Sequence, residues 1–168
     1  MTDGAITYRD LRPQDFAAKH ALVSIWEVTR NLGSWPWPPD EAFTRTRCVP
    51  FEGDGFVWAI CHDDHLIGTV SVVRQELGYM LHPDFHGRGI VSTAMRVALT
   101  HAFDTLPLDE VHAEIWADNA TSKHLLTKAG FTLSVQETEH ALARDEPTES
   151  ETYTLTRATW STLMRAPE

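Results

Sequence analysis

Two glycines in His86-Gly87-Arg88-Gly89-Ile90-Val91 stand between a short apolar strand and a long segment of helical periodicity. Lacking Cβ atoms, Gly87 and Gly89 let a ligand come close to the backbone. The first amides of a helix have no intrahelical acceptor, and the helix dipole adds about half a positive charge there. Together these suit an anion such as a pyrophosphate, and Arg88 could add a charge-assisted contact. A plain tight turn accounts for the same two glycines equally well. The turn is not a P-loop, because no Gly-Lys-Ser/Thr follows, and it lacks the third glycine of the dinucleotide fingerprint. Downstream, Asn119 opens another helical stretch with Ser122 three residues on. Asn119 is a good N-cap, and a capping residue can still present its amide or carbonyl outward.

The elements that must position these residues follow from period and punctuation. Residues 6–11 alternate as a strand, and Pro13 starts a helix whose apolar face runs through Phe16, Ala17, Ala21, Ile25 and Trp26. Three prolines exclude regular helix over residues 33–39, and a short helix is expected from 40 to 47. Residues 56–61 and 66–73 predict an antiparallel hairpin turning at Asp63-Asp64, followed by a strand over 77–81. Helix 90–103, strand 111–116 and helix 119–129 closed by Gly130 come next. Strands 131–135 and 153–155 and a final helix with Trp160 and Leu163 complete the order. A hairpin-rich first half followed by βαβ units predicts one α/β domain, a mixed sheet with helices on both faces.

At 168 residues the chain fits a single domain, 1–168. No apolar run approaches the roughly 20 residues that cross a bilayer. Met1-Thr2-Asp3-Gly4 lacks the basic-then-apolar pattern of a secretory signal, so a cytoplasmic protein without a membrane partner is expected. Cys48 and Cys61 are expected as two separate buried thiols. The nine histidines form no HxH or HExxH arrangement, and His62 and His65 flank the Asp63-Asp64 turn, so no metal is expected. A formal charge of -10 argues against nucleic-acid binding. It is compatible with a cationic acceptor, since an acidic cleft concentrates amines.

Two motifs at this separation carry a resemblance. Gly78-Tyr79-Met80-Leu81-His82-Pro83 with Gly87-Arg88-Gly89, and Asp118-Asn119 with Ser122, Leu126 and Gly130-Phe131, resemble the GNAT acyltransferases. Within them the chain is similar to the RimJ/RimL branch of ribosomal-protein alanine N-acetyltransferases, nearly from end to end. The resemblance implies a single GNAT-like α/β domain with a mixed, mostly antiparallel sheet of about seven strands. It implies acetyl-coenzyme A as co-substrate, its arm paired with the splayed strand at Leu81. The pyrophosphate would lie on the amides of Gly87, Arg88, Gly89, Ile90, Val91 and Ser92 after His86. Asn119 matches the residue that contacts the arm near the thioester, and Ser122 the hydroxyl proposed to protonate the departing thiolate. His86 stands where the family has Gln, Arg or Trp, and Val91 where it has Gly or Ala, so a somewhat weaker cofactor site is expected.

The implied reaction is acetyl transfer to a primary amine, a protein N-terminal α-amine by the branch resemblance, directly within a ternary complex. A small amine, or a non-catalytic acetyl-coenzyme A-binding regulator, are the alternatives. Thioester attack needs a neutral amine, and the candidate bases are Glu76, His140 and its neighbour Glu139. Water could carry the proton instead. Trp35 and Trp37 are candidates for the acceptor wall, and an exposed aromatic loop there is compatible with a homodimer. Residues 140–151, rich in carboxylates, are expected as a mobile loop or an acidic lip.

Overall fold

Apolar residues alternate along the first hairpin, so each of its strands serves two cores. In β2 (Gly55–His62), Phe56, Trp58 and Ile60 join one cluster while Val57, Ala59 and Cys61 join another. The computed structural model, which describes residues 5–165, resolves these clusters as the two faces of one seven-stranded sheet. The other strands are β1 (Ile6–Asp10), β3 (His65–Val73), β4 (Glu76–Leu81), β5 (Glu110–Trp116), β6 (Thr132–Ala141) and β7 (Glu146–Thr156). Their order is β1-β2-β3-β4-β5-β7-β6, with β4–β5 parallel and all other neighbours antiparallel.

Helices cover both faces. On one lie α1 (Phe16–Val23) and α2 (Trp26–Thr29), whose Leu22, Val23 and Val28 pack with Ala59, Cys61 and Met80. The short α3 (Glu41–Thr46) is capped by Asp40, which accepts from the Phe43 amide at 2.6 Å. On the other face, α4 (Ile90–Thr105) buries Ala94, Met95, Ala98, Leu99, Ala102 and Phe103 against Leu77, Leu81 and Val111. Each large apolar side chain so buried stabilises the fold by about 1.5–3 kcal/mol. Helix α5 (Ala120–Lys128) follows β5, and α6 (Arg157–Arg165) stacks Trp160 on Phe103 at 6.0 Å. Arg157 donates to the carbonyls of Phe103, Leu106 and Leu108, closing the free end of α4.

Three expectations are modified. The first helix breaks into α1 and α2 at Ser24, whose hydroxyl donates back to the His20 carbonyl at 2.6 Å, before Ile25 turns extended. The last two strands are much longer than the apolar runs suggested. Residues 140–151 are not a loop but the tip of a hairpin and most of β7, with Glu151 buried at 5% exposure. Strand β6 is exposed along all but its last residue, so it carries no inward alternation to betray it. The Asp63-Asp64 turn forms as expected, both residues at positive φ, and Asp64 ties it to Arg9 and Arg12. Cys48 and Cys61 are separate buried thiols.

Candidate active site

Strands β4 and β5 run side by side only at their starts. Glu76 pairs with His112, and the His112 amide donates to the Gln75 carbonyl at 2.7 Å. Beyond that point they diverge, and the β4 edge facing β5 has no further partner. An open cleft of about 2300 Å³ fills the divergence. It runs past Leu81 and the turn at 86–92 on one side, Asn119 and Ser122 on another, and Leu32, Trp35 and residues 49–54 at its far end.

At the wide end the turn is built for an anion. Gly87 has φ 74° and Gly89, the N-cap of α4, φ 72°, both in the left-handed region that favours glycine. A Cβ at either position would meet nothing within 4 Å. The first bond of α4 runs from the Thr93 amide to the Gly89 carbonyl at 3.0 Å. The six amides of residues 87–92 are therefore left without an intramolecular acceptor. His86 Nε2 lies 3.1 Å from the Leu81 carbonyl, which pins the turn to the end of β4. Val91 both lines the cleft and packs on the core. Arg88 turns away: it donates to the Asp84 carbonyl at 3.0 Å and lies over Phe85. The cationic side chain that does line the cleft there is Lys128, one turn beyond the His124 ring on α5.

Midway, Asn119 caps α5 by accepting from the Ser122 amide at 3.1 Å. Ser122 is buried at 8% exposure. Beside it stands the Tyr79 phenol, whose buried oxygen makes no well-formed hydrogen bond and has the Ser122 hydroxyl as its polar neighbour. Burial raises the Tyr79 pKa, and the neighbouring Ser122 hydroxyl partly offsets this.

The narrow end is acidic. Glu76 lines the cleft there, exposed, and so does Glu114 on β5. Partial burial, then a hydrogen bond with Glu139 and its charge, then the charges of Glu76 and Glu137, push the Glu114 carboxyl up to about 7. Its side chain still reaches solvent, so the acidic neighbours weigh more than desolvation in this shift. Two carboxyl groups in hydrogen-bond contact hold a proton between them, and at neutral pH that proton is exchangeable.

The structure thus gathers Leu81, the 86–92 turn, Asn119, Ser122, Glu76 and Trp35 around one cleft. It does not bring His140 there: that ring is exposed on the β6–β7 hairpin, 3.2 Å from Asp145. Trp35 is buried at 8% exposure, edge-on to Phe43, and forms cleft floor. Trp37 packs tilted against Trp26, ring centroids 5.0 Å apart, and does not line the cleft. Sequence reasoning missed Glu114 and Tyr79. The alternation Val111, Ala113, Ile115 does leave Glu114 on the opposite face of β5, and Tyr79 sits inside the quoted glycine-tyrosine motif. Among the described residues no group of three His, Cys, Asp or Glu could hold a metal ion. No helix there is long and apolar enough to cross a membrane.

Comparison with known proteins identifies the family and the fold. The model of the acetyltransferase (GNAT) domain family matches residues 5–132. The Uncharacterized N-acetyltransferase YoaA of Bacillus subtilis (strain 168) is 30% identical over 136 residues, 73% of this chain and 77% of that protein. The Probable N-acetyltransferase YjcK of the same organism is 39% identical over 77 residues, and the match spans 41% of this chain and 42% of that protein. Among solved structures, spermidine N-acetyltransferase from Vibrio cholerae, in complex with CoA and spermine, superposes with a TM-score of 0.78 at 17% identity. That alignment covers 93% of this chain and 98% of the other. RimL, a ribosomal alpha-N-protein acetyltransferase in complex with coenzyme A, gives 0.73 at 18% identity, covering 90% and 93%.

Proposed function

The chain belongs to the GNAT acetyltransferases, enzymes that use acetyl-coenzyme A as co-substrate, and from that premise we propose that it acetylates a protein N-terminal α-amine by direct transfer. The observation that carries this is the extent of the cleft. Its volume of about 2300 Å³ includes the share of the co-substrate, so the acceptor is read from where the cleft leads. The cleft continues beyond the acidic end to Trp35 and the exposed Val49 and Phe51, which leaves room for residues following the amine.

The residues present fit the co-substrate. Six amides in a row without an intramolecular acceptor, two open left-handed glycines and a buried phenol beside Ser122 form a polar lining that suits the phosphates and arm of such a ligand. The amides of residues 87–92 would hold the pyrophosphate, and the unpaired edge of β4 near Leu81 the arm, with Asn119 beside it. Acetyl-coenzyme A supplies a thioester carbonyl open to attack by a neutral amine. The Glu114 carboxylate takes the proton that the neutral amine releases as it attacks. A pKa of about 7 is well matched to an α-amine of about 8. Tyr79 holds a proton at Oη next to Ser122 Oγ, from where it could pass to a departing thiolate.

A second reading, a small polyamine acceptor, is favoured by the four carboxylates Glu76, Glu114, Glu137 and Glu139 facing one another. The spermine complex of the fold neighbour points the same way. A thiol-release assay with free-N-terminus peptides, their N-blocked forms, and spermidine separates the two. Release with free peptides alone supports the first reading, and release with spermidine alone overturns it. Coenzyme A binding without release from any acceptor would indicate a regulator.

A further inference from the structure

Arg144, in the turn between β6 and β7, has a side chain only 7% exposed. Its Nη1 donates to Asp118 Oδ2 at 2.8 Å and its Nη2 to Asp118 Oδ1 at 2.9 Å, a two-bonded fork. Its Nε donates to the Arg30 carbonyl at 2.9 Å, and Nη2 approaches Asn31 Oδ1 at 3.4 Å. The Trp116 ring lies 5.7 Å from the guanidinium carbon, and Arg30 adds a second cation to Asp118 at 3.3 Å.

One side chain therefore joins three segments far apart in sequence: the β6–β7 turn, the end of α2, and the bend between β5 and α5. Each borders the cleft or carries groups that face it. Asp118 immediately precedes Asn119 and the start of α5, where Ser122 sits. Glu27, Val28 and Asn31 line the acceptor side. The hairpin that ends in Arg144 also carries Glu139, the partner of Glu114. Strand β6 is exposed and pairs only with β7. Its tip is located by this guanidinium and by the buried Ala141 and Ala143.

We propose that Arg144 is a positioning residue for the transfer: it keeps Asn119 and Ser122 in register with the acceptor wall, so that filling one subsite prepares the other. This rests on the reading that Asn119 faces the co-substrate and Glu114 the acceptor. A lysine retains the charge but cannot reproduce the fork, because its ammonium is a point donor.

The test uses Arg144→Lys, Arg144→Ala and Asp118→Asn, with Arg157→Lys as a control that loosens α4 far from the hub. Calorimetry gives the Kd for coenzyme A, steady-state kinetics with a hexapeptide bearing a free alanyl N-terminus give kcat and KM, and thermal scans report folding. Arg144→Lys should raise the peptide KM about tenfold and the coenzyme A Kd several-fold while remaining folded. Arg144→Ala combined with Asp118→Asn should be no worse in kcat/KM than Arg144→Ala alone. Arg157→Lys should lower the melting temperature and leave the coenzyme A Kd unchanged. Wild-type Kd and KM in Arg144→Lys and Asp118→Asn, with only a lowered melting temperature, would reduce Arg144 to a structural pin. If Arg144→Ala does not fold, those two variants decide. If the wild-type protein acetylates no peptide, the acceptor reading has failed, and the coenzyme A Kd alone decides the role of Arg144.

Discussion

Replacing Glu114 by Gln keeps the shape of the side chain and removes its ability to take a proton. In the wild-type protein a carboxyl with a pKa of about 7 is roughly 10% ionised at pH 6 and roughly 90% at pH 8. The kcat/KM for an amine should therefore rise about tenfold over that interval from this group alone. The acceptor adds a second rise near its own pKa of about 8. General-base catalysis contributes about 10²–10⁴-fold. An α-amine is already roughly a quarter neutral at pH 7.5, so the lower end, about 10²-fold, is expected for Glu114→Gln. The limb near pH 7 should vanish in the variant while the acceptor limb stays. Glu139→Gln should move the first limb to lower pH, because it removes the group that shares the proton. A raised carboxyl pKa disfavours the folded state as pH climbs from the ordinary value of 4.5 through 7. Glu114→Gln should thus be at least as heat-stable as wild type at pH 8, which separates lost chemistry from lost folding. Thiol release measured from pH 5.5 to 9 is the assay. A variant that keeps the limb near 7, or loses less than threefold, would refute the role of Glu114.

Gly89→Ala forces a left-handed backbone on a residue with a Cβ, costing about 1–2 kcal/mol of stability, and stands a methyl group in the open approach to the amides. Its coenzyme A Kd by calorimetry should rise at least tenfold. Tyr79→Phe removes a buried hydroxyl with no well-formed hydrogen bond, so unfolding should become costlier by up to about 1–3 kcal/mol, seen as a higher melting temperature, while kcat falls several-fold. Lys123→Met leaves the buried Glu151 carboxylate without its 3.0 Å cation. Because Lys123 is 42% exposed, the cost in urea unfolding at pH 7 should be only about 1 kcal/mol. Although burial opposes it, the Lys123 and Tyr153 bonds hold the Glu151 pKa down in the folded state. That stability is present above the ordinary carboxylate pKa and lost as pH falls through the folded one. Lys123→Met should accordingly lose less stability than wild type between pH 5 and 3.

The parts of this molecule legible in its sequence are those whose physics is local. The 86–92 turn announced itself through two glycines before a helix, and Asn119 through its cap position. The first hairpin was marked by apolar alternation around an Asp-Asp turn. What escaped depends on contacts between distant segments. Glu114 alternates outward like any solvated strand residue. Only the divergence of β4 and β5, with the long hairpin bringing Glu139 to it, raises its pKa. That hairpin was itself invisible, because β6 buries no face and its carboxylates suggest loop. Arg144 reaches Arg30 across 114 positions of sequence, a span over which no periodicity speaks. Its place after strand 131–135, in a region where the resembled family carries substrate-facing residues, makes His140 a candidate base, yet it sits exposed on the hairpin with Asp145.

The six free amides of residues 87–92 are the proposed seat of the co-substrate's phosphates. Titrating nitrogen-15-labelled protein with coenzyme A and following every backbone amide tests it directly. Binding should be saturable and one-to-one, with the largest shifts at residues 87–92 and further shifts at Asn119 and along β4. Binding whose shifts cluster elsewhere, or no binding at all, would contradict that placement.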